Sequence, residues 1–266
     1  MYQELKVALG NETLHIYKIG TGPKVLIAFH GYGLDGSVFI PFESAFKDYT
    51  IYAPDLPFHG KSNWHAPHMS LEDIKQLIAH CTKNTPSLKI NLMGYSLGGK
   101  ICMNLIQHYP QEIEQVILLA PDGLEHNKVF DFATFNTNGK KLFRYAVSKP
   151  QYFISTLNVL KRIKVIPKRN HAFYVKQLSD RKVRFNLYKI WNSFSLLRHD
   201  IPTVIQKAKK YHIPIILIMG KNDRLIKINI GRQFARKIPH IHFIELDKGH
   251  KLLDETLITT LQKLNL

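Results

Sequence analysis

Short apolar runs alternate with helix-like stretches through much of the chain. Runs of four to six residues are typical of strands that are buried on both faces of a parallel sheet. Two earlier stretches, at 4–9 and 12–19, alternate in polarity and predict an antiparallel hairpin at the sheet edge. The six apolar runs lie at residues 24–29, 50–53, 90–93, 116–120, 215–219 and 241–244.

Between these runs, apolar residues recur at helical spacing. Ser70 and Asp73 form a capping signature, and the apolar stripe that follows predicts a helix at 71–81. Strands that alternate with helices predict an α/β fold, with a mostly parallel central sheet flanked by helices. Further helices are predicted at 97–109, 228–237 and 250–264.

The alternation stops after Ala120, and residues 123–212 contain helical patterns without intervening apolar runs. We therefore predict a core domain formed by residues 1–122 and 213–266, with a helical insertion at 123–212. The insertion holds 19 Lys and Arg against four Asp and Glu, a net charge of +15, whereas the rest of the chain holds 18 against 16. It also holds 14 of the 29 Phe, Tyr and Trp residues.

The whole chain has 266 residues, a formal net charge of +17 and two cysteines. Two cysteines cannot form a disulfide framework, and the first residues do not resemble a signal peptide. No run approaches the roughly 20 apolar residues that span a bilayer. We expect a cytoplasmic protein without a transmembrane segment. The charge raises nucleic acid, an anionic membrane or an acidic protein as partners.

A G-x-S-x-G motif runs from Gly94 to Gly98 and is centred on Ser96. The predicted strand at 90–93 leads into it and the predicted helix at 97–109 leads out, which is the setting that a nucleophile elbow requires. A sharp turn there lifts the serine hydroxyl above the sheet, at a helix N-terminus that favours a developing oxyanion.

A serine hydroxyl is weakly nucleophilic and needs a base together with an orienting acid. Asp223 follows the predicted strand at 215–219, and His250 follows the strand at 241–244. The carboxyl ends of parallel strands share one sheet edge, where open α/β sheets place their sites. We therefore predict Ser96 as the nucleophile, His250 as the base and Asp223 as the acid.

The sequence also offers a second candidate for the acid and donors for an oxyanion hole. Asp122, which lies just past the apolar run at 116–120, is a rival for the acid. The loop after the first buried strand contains Tyr32 between two glycines, and its N–H would join that of Leu97 in an oxyanion hole.

Five motifs stand in a fixed order along the chain: His30-Gly31, Asp55-Leu56-Pro57 with Gly60-Lys61-Ser62, Gly94-Tyr95-Ser96-Leu97-Gly98-Gly99, Gly220 with Asp223, and Gly249-His250. In these motifs the chain resembles the α/β-hydrolase family over its sheet-forming parts. The resemblance implies that residues 123–212 are the family's lid, inserted after the sixth strand. One departure is Phe58, where the family often has glycine.

The run from His30 to Asp35, together with the serine motif, also resembles a narrower group. That group comprises the carboxylesterases that cleave pimeloyl-[acyl-carrier protein] methyl ester and hold the acidic carrier protein with a basic lid. The resemblance implies an acidic carrier protein as a partner.

The inserted segment leaves two questions open. Phe130, Phe132 and Phe135 could line an acyl pocket, or they could form the segment's own core. The basic clusters, 161–169 and 181–184, could be solvated helix faces or could contact an anionic partner.

We predict a serine hydrolase that cleaves a carboxylic ester through an acyl-enzyme, with a small ester or acyl substrate and without metal or cofactor. No metal-ligand spacing and no phosphate-binding loop is evident. C–C bond hydrolases, thioesterases, peptidases and some lyases use the same triad. A different class is a binding module for anionic surfaces or nucleic acid, but no nucleic-acid motif is present. Peripheral contact with an anionic membrane remains an alternative.

Overall fold

The structure, a computed structural model, describes residues 1–83, 89–163 and 168–264. The chain divides into two compact units. The first unit consists of Met1–His65, Met69–Glu125 and Leu197–Leu266, and the second of Ala66–His68 and His126–Leu196.

The first unit is built on an eight-stranded sheet with strand order β1-β2-β4-β3-β5-β6-β7-β8. Strand β2 pairs antiparallel with β1 and β4, and every other pairing is parallel. The predicted α/β fold is thus confirmed, with the hairpin at the sheet edge. The strands are β1 (Tyr2–Leu9), β2 (Glu12–Ile19), β3 (Lys24–Phe29), β4 (Tyr49–Pro54), β5 (Ile90–Tyr95), β6 (Ile113–Leu119), β7 (Ile215–Gly220) and β8 (Ile241–Leu246).

Ten α-helices lie within the described residues. The bounds of α1 and α2 agree with the predicted helices to within one residue. The helices are α1 (Leu71–Thr82), α2 (Leu97–His108), α3 (Lys128–Phe135), α4 (Thr137–Ser148), α5 (Pro150–Arg162), α6 (Lys168–Ser179), α7 (Arg181–Ser193), α8 (Ile201–Lys210), α9 (Ile228–Ala235) and α10 (Glu255–Gln262).

Helix ends follow their capping chemistry. The Ser70 hydroxyl accepts from the Asp73 N–H, and the Asp73 carboxylate accepts from the Ser70 N–H, so the predicted capping box of α1 is present. The helix predicted at 250–264 is wrong at its start. Asp254 caps α10 by accepting from the N–H groups of Thr256 and Leu257, which leaves the four residues before it in a loop.

The central strands are buried on both faces, as their apolar runs predict. All six residues of β5 and all six of β7 are buried. Phe58 has a φ of +64°, the left-handed conformation that glycine adopts more easily. The turn after β4 is therefore formed here with a side chain that strains it.

The second unit is shorter than the predicted insertion. Residues 197–212 belong to the first unit, where α8 buries Val204 and Ala208. Asn104 of α2 donates to the Leu197 carbonyl at 2.8 Å. The amphipathic pattern of α8 fits either unit, and its packing against α2 places it in the first unit. The assignment of 123–212 as a lid stays a prediction.

Candidate active site

Ser96 lies in the turn between β5 and α2. Its φ is +49° and its ψ is −113°, a strained conformation for a residue with a Cβ. The turn is crowded: a Cβ on Gly94 would lie 2.7 Å from the Gly98 carbonyl oxygen, and one on Gly98 would lie 2.0 Å from that of Phe29. These close approaches explain why the motif needs glycines on both sides of the serine.

The three residues predicted to act together form one chain of hydrogen bonds. His250 Nε2 lies 3.0 Å from Ser96 Oγ, and His250 Nδ1 lies 2.7 Å from Asp223 Oδ2. An ionised carboxylate can only accept, so Nδ1 donates to Asp223 and Nε2 is free to accept the serine proton.

Asp223 is buried, with 6% of its surface exposed. Burial by itself raises the pKa of this carboxyl. The hydrogen bond from His250, with the N–H groups of Ile226 and Leu225 that donate to Oδ1 at 3.0 and 2.8 Å, outweighs burial and lowers the pKa below its ordinary value. Asp223 is therefore ionised at neutral pH.

The loops that carry Asp223 and His250 touch each other directly. The Asn222 N–H donates to the Lys248 carbonyl at 2.8 Å. A Cβ on Gly220 would lie 2.3 Å from the Gly249 carbonyl oxygen, so glycine is required for this approach. The contact between the loops after β7 and β8 thus sets the spacing of Asp223 and His250.

Tyr95 is a residue that the sequence analysis missed. Its hydroxyl donates to the backbone carbonyl of His250 at 3.0 Å, and its ring lies 5.5 Å from the imidazole. Burial, with the nearby charge of Asp223, raises the pKa of Tyr95 to about 12, so the hydroxyl remains a donor. Tyr95 adjoins Ser96 in the motif, which marks it as a residue near the site. Its hydrogen bond could not be predicted, because His250 lies 155 residues away in the sequence.

Asp122, the rival acid, has a different contact. Its backbone N–H donates to the Ser96 carbonyl at 2.8 Å, whereas the imidazole Nδ1 faces Asp223. The geometry therefore favours Asp223 over Asp122 as the partner of His250.

The N–H groups predicted for the oxyanion hole are available. Among the described residues, neither the Tyr32 nor the Leu97 N–H has a hydrogen-bond acceptor. The loop that carries Tyr32 contacts the serine turn, since a Cβ on Gly31 would lie 3.2 Å from Ser96 Cβ. Leu97 is the first residue of α2, where an N–H has no acceptor within the helix.

His30 fixes the loop that carries Tyr32 through two hydrogen bonds of its imidazole. Its Nδ1 donates to the Gly31 carbonyl at 2.8 Å, and its Nε2 accepts from the Leu56 N–H at 2.9 Å. Complete burial, with His59 beside it, lowers the pKa of His30 to about 3, so the ring is neutral. Burial also lowers the pKa of His59. His30 is a structural residue of the loop.

The three phenylalanines of the second unit differ from one another. The ring of Phe130 lies 6.0 Å from that of Phe135 and 5.4 Å from that of Trp191, so Phe130 belongs to the core of this unit. Phe132 is 46% exposed. A role in substrate binding stays a prediction for all three.

The basic clusters differ as well. Arg184 Nε donates to the Val147 carbonyl at 2.9 Å, and its Nη1 reaches the Leu178 and Ser179 carbonyls at 3.4 Å, so it satisfies the ends of α4 and α6. Lys161 and Arg181 are exposed. Of the first cluster, residues 164–167 lie outside the described residues.

The described residues contain neither a metal-binding cluster nor a membrane-spanning helix. No group of three or more His, Cys, Asp and Glu in this part of the chain could hold a metal ion. None of the helices described above is long and apolar enough to cross a membrane.

The sequence of this chain is similar to those of known hydrolases. The Hydrolase_4 family, described as serine aminopeptidase S33, matches residues 22–256. A pimeloyl-[acyl-carrier protein] methyl ester esterase of Vibrio atlanticus (strain LGP32) is 21% identical over 236 residues, covering 86% of this chain and 88% of the relative. The uncharacterized hydrolase YugF of Bacillus subtilis (strain 168) is 23% identical over 242 residues, covering 88% and 86%.

A solved structure supports the same fold. A thermophilic esterase from Thermogutta terrifontis superposes with a TM-score of 0.64 at 17% identity, covering 99% of this chain and 94% of that one. Since the family match extends over most of the chain and the fold agrees, this protein belongs to the Hydrolase_4 family of α/β-hydrolase enzymes.

Proposed function

We propose that this enzyme cleaves carboxylic esters through an acyl-enzyme on Ser96. The observation that carries the proposal is the hydrogen-bonded chain from Asp223 through His250 to Ser96 Oγ, with distances of 2.7 and 3.0 Å. Two buried free thiols, Cys81 and Cys102, support a reducing compartment, the cytoplasm, as its place of action.

In the first step, Ser96 Oγ attacks the ester carbonyl carbon while His250 Nε2 takes the hydroxyl proton. The imidazolium that forms is stabilised by the ionised Asp223, which is held by two backbone N–H groups and does not itself take the proton. The imidazolium then protonates the leaving alkoxide, so the alcohol departs and the acyl group remains on Ser96.

The carbonyl oxygen carries the negative charge in the tetrahedral intermediate. The N–H groups of Tyr32 and Leu97 would donate to it, and the N-terminus of α2 adds a favourable dipole. In the second step a water molecule attacks the acyl carbon while His250 Nε2 takes one of its protons. The imidazolium then returns a proton to Ser96 Oγ as the acyl–Oγ bond breaks, so the carboxylic acid departs and the serine hydroxyl is restored.

The test is a substrate panel with a matched pair of serine variants. Ser96→Ala should lower kcat/KM for a short p-nitrophenyl ester by about 10⁴-fold or more, because no residue replaces the nucleophile. Ser148→Ala, an exposed serine of α4, should leave it unchanged. Substantial turnover by folded Ser96→Ala would overturn the assignment and favour a binding function that survives loss of the serine.

The same panel should separate the related chemistries. It should include acyl thioesters, aminoacyl anilides as peptidase substrates, and a β-diketone as a C–C bond substrate. Esters should give the highest kcat/KM. A strong preference for an anilide would instead support the peptidase activity in the family's description.

A second candidate is an ester carried on an acidic protein. It is supported by the name of the Vibrio atlanticus relative and by the charge of the second unit, which has 15 Lys and Arg against two Asp. The test compares methyl esters of one acyl group, free and attached to an acyl-carrier protein. The carrier-linked ester should have the lower KM, and this advantage should fall as salt screens the charges. Equal KM values would reject the carrier.

A further inference from the structure

One stretch of the second unit lacks acidic residues altogether. From Phe132 to Ser179 the chain runs for 48 residues with ten Lys and Arg and no Asp or Glu. A solvated helical surface normally mixes both signs of charge. A stretch of one sign produces a positive potential that attracts anionic surfaces.

Helix α5, inside this stretch, exposes apolar side chains on one face. Tyr152 is 59% exposed, Val159 54% and Ile163 60%. Val159 follows Tyr152 by seven residues, or two helical turns. Ile163, the C-cap of α5, follows Tyr152 by eleven residues, or three turns, so the three side chains lie on one stripe. An amphipathic helix of a globular protein normally buries such a stripe.

Helix α4 continues this surface. Lys141, Tyr145 and Lys149, the C-cap of α4, are spaced four residues apart and are exposed, so they share a second stripe. The rings of Tyr145 and Tyr152 stack with centroids 6.3 Å apart and an interplanar angle of 21°. The two stripes therefore meet. We call the joint surface the α4–α5 face; it comprises Lys141, Tyr145, Lys149, Tyr152, Val159 and Ile163.

We propose that the α4–α5 face binds the surface of an anionic phospholipid membrane. Lysines at its edge would lie among the lipid phosphates, while the tyrosines, with apolar rings and polar hydroxyls, suit the headgroup boundary. Val159 and Ile163 would enter the acyl region. Charge and apolar exposure act together, as they do in amphipathic helices that lie in the membrane interface.

Two other occupants fit the face less well. A second copy of the chain would bring two units of net charge +13 together, which is electrostatically unfavourable. An acidic protein would pair with the lysines but has no need for the exposed stripe of Tyr152, Val159 and Ile163. The apolar stripe therefore favours lipid over an acidic protein.

This proposal is independent of the ester chemistry. It rests on the surface of the second unit alone, and Ser96→Ala should bind vesicles as the wild type does. A failure of the hydrolase proposal would leave it standing, and a failure of vesicle binding would leave the triad standing.

The experiment is sedimentation of the full chain with sucrose-loaded vesicles. One set contains phosphatidylcholine alone, and the other contains phosphatidylcholine with 30% phosphatidylglycerol. The wild type should bind the anionic vesicles at least tenfold more tightly than the neutral ones. Binding should weaken between 0.1 and 0.5 M salt as the charges are screened.

Two double variants test the parts of the face. Lys141→Gln/Lys149→Gln should weaken binding to anionic vesicles by about tenfold or more, since each basic residue near such a surface contributes about fivefold. Tyr152→Gln/Val159→Gln should weaken it by about tenfold without changing the charge. Lys47→Gln/Lys237→Gln removes two exposed charges from the first unit and is the matched control.

Circular dichroism and turnover of a soluble ester verify that each variant is folded. Equal binding to neutral and anionic vesicles, or no binding to either, would overturn the proposal. So would a control variant that loses as much affinity as Lys141→Gln/Lys149→Gln. If the lysine variant lost affinity and the Tyr152→Gln/Val159→Gln variant did not, the contact would be with charge alone, as for an acidic protein.

Discussion

The two units of this enzyme use polar and apolar side chains in opposite ways. The first unit buries Asp223, Asp55 and His30 and gives each of them hydrogen-bond partners. The second unit, just over a quarter of the chain, supplies ten of the fourteen large apolar side chains exposed among the described residues. It also carries a net charge of +13, against +4 for the rest of the chain.

This difference corresponds to two different requirements, one for catalysis and one for binding to a surface. Chemistry needs groups held at fixed distances, which a buried and fully bonded network provides. Attachment to a surface needs side chains that are exposed, charged and apolar. The largest effects of mutation on activity should therefore lie in the first unit, while mutations of exposed residues in the second should change binding rather than chemistry.

The sharpest test of the first unit is the choice of acid. Asp223→Asn should lower kcat by about 10⁴-fold, because the amide stabilises neither the imidazolium nor the required tautomer of His250. Asp122→Asn is the control and should change kcat by less than about threefold, since Asp122 contacts Ser96 only through its backbone. The measurement is steady-state turnover of a p-nitrophenyl ester. The reverse order of effects would make Asp122 the acid.

We also expect the first unit to lose stability as pH falls below about 6.5. His30 has a folded pKa of about 3, below the 6.5 of a free imidazole, so the unfolded chain binds a proton that the folded chain excludes. His30 therefore lowers the free energy of unfolding very little well above pH 6.5, and it lowers it progressively more as pH falls below that value. At pH 5 the free energy of unfolding should be lower by about 2 kcal/mol from this group alone.

The two tryptophans allow this to be measured for one unit at a time. Trp64 lies in the first unit and Trp191 in the second, so urea unfolding of a Trp191→Phe chain reports on the first unit. His30→Gln should flatten the dependence on pH between 7 and 5. His242→Gln, which changes an exposed histidine, should keep it. An unchanged slope in His30→Gln would reject His30 as its source.

A smaller effect on stability tests whether every basic side chain of the second unit is a solvated surface charge. Arg184→Gln should lower the stability of this unit by about 1.5 kcal/mol, because charged hydrogen bonds to the ends of α4 and α6 are lost. Lys182→Gln, two residues away and exposed, should change it by less than about 0.5 kcal/mol. Unfolding of a Trp64→Phe chain, followed by Trp191 fluorescence, measures both. Equal effects would show that Arg184 is merely another surface charge.

Much of the fold could be predicted from the sequence, because its signals are local. Strand β5 is buried on both faces and is therefore apolar throughout, and the capping box of α1 needs only two residues three apart. The turn around Ser96 has no space for a Cβ on either side, and this requirement is visible in the sequence as Gly94 and Gly98. The expectation that Ser96, Asp223 and His250 lie at one edge of the sheet followed from the rule that parallel strands present their carboxyl ends there.

What the sequence could not supply depends on contacts between distant residues. The limit of the second unit depends on whether α8 packs on α2, and the same amphipathic pattern fits either unit. The bond from Tyr95 to His250 joins residues 155 apart. The start of α10 is a different case, because its cap, Asp254, is a local signal that the predicted start at residue 250 overlooked.

The sequence by itself determined the α/β class, the nucleophile candidate and the concentration of positive charge, because each is a property of residue type and short spacing. Only the tertiary structure decided which acid faces His250, which arginine is used internally, and that the apolar stripe of α5 is left exposed. Those outcomes depend on which surfaces meet, and a hydrophobic side chain looks the same in sequence whether it is buried or exposed.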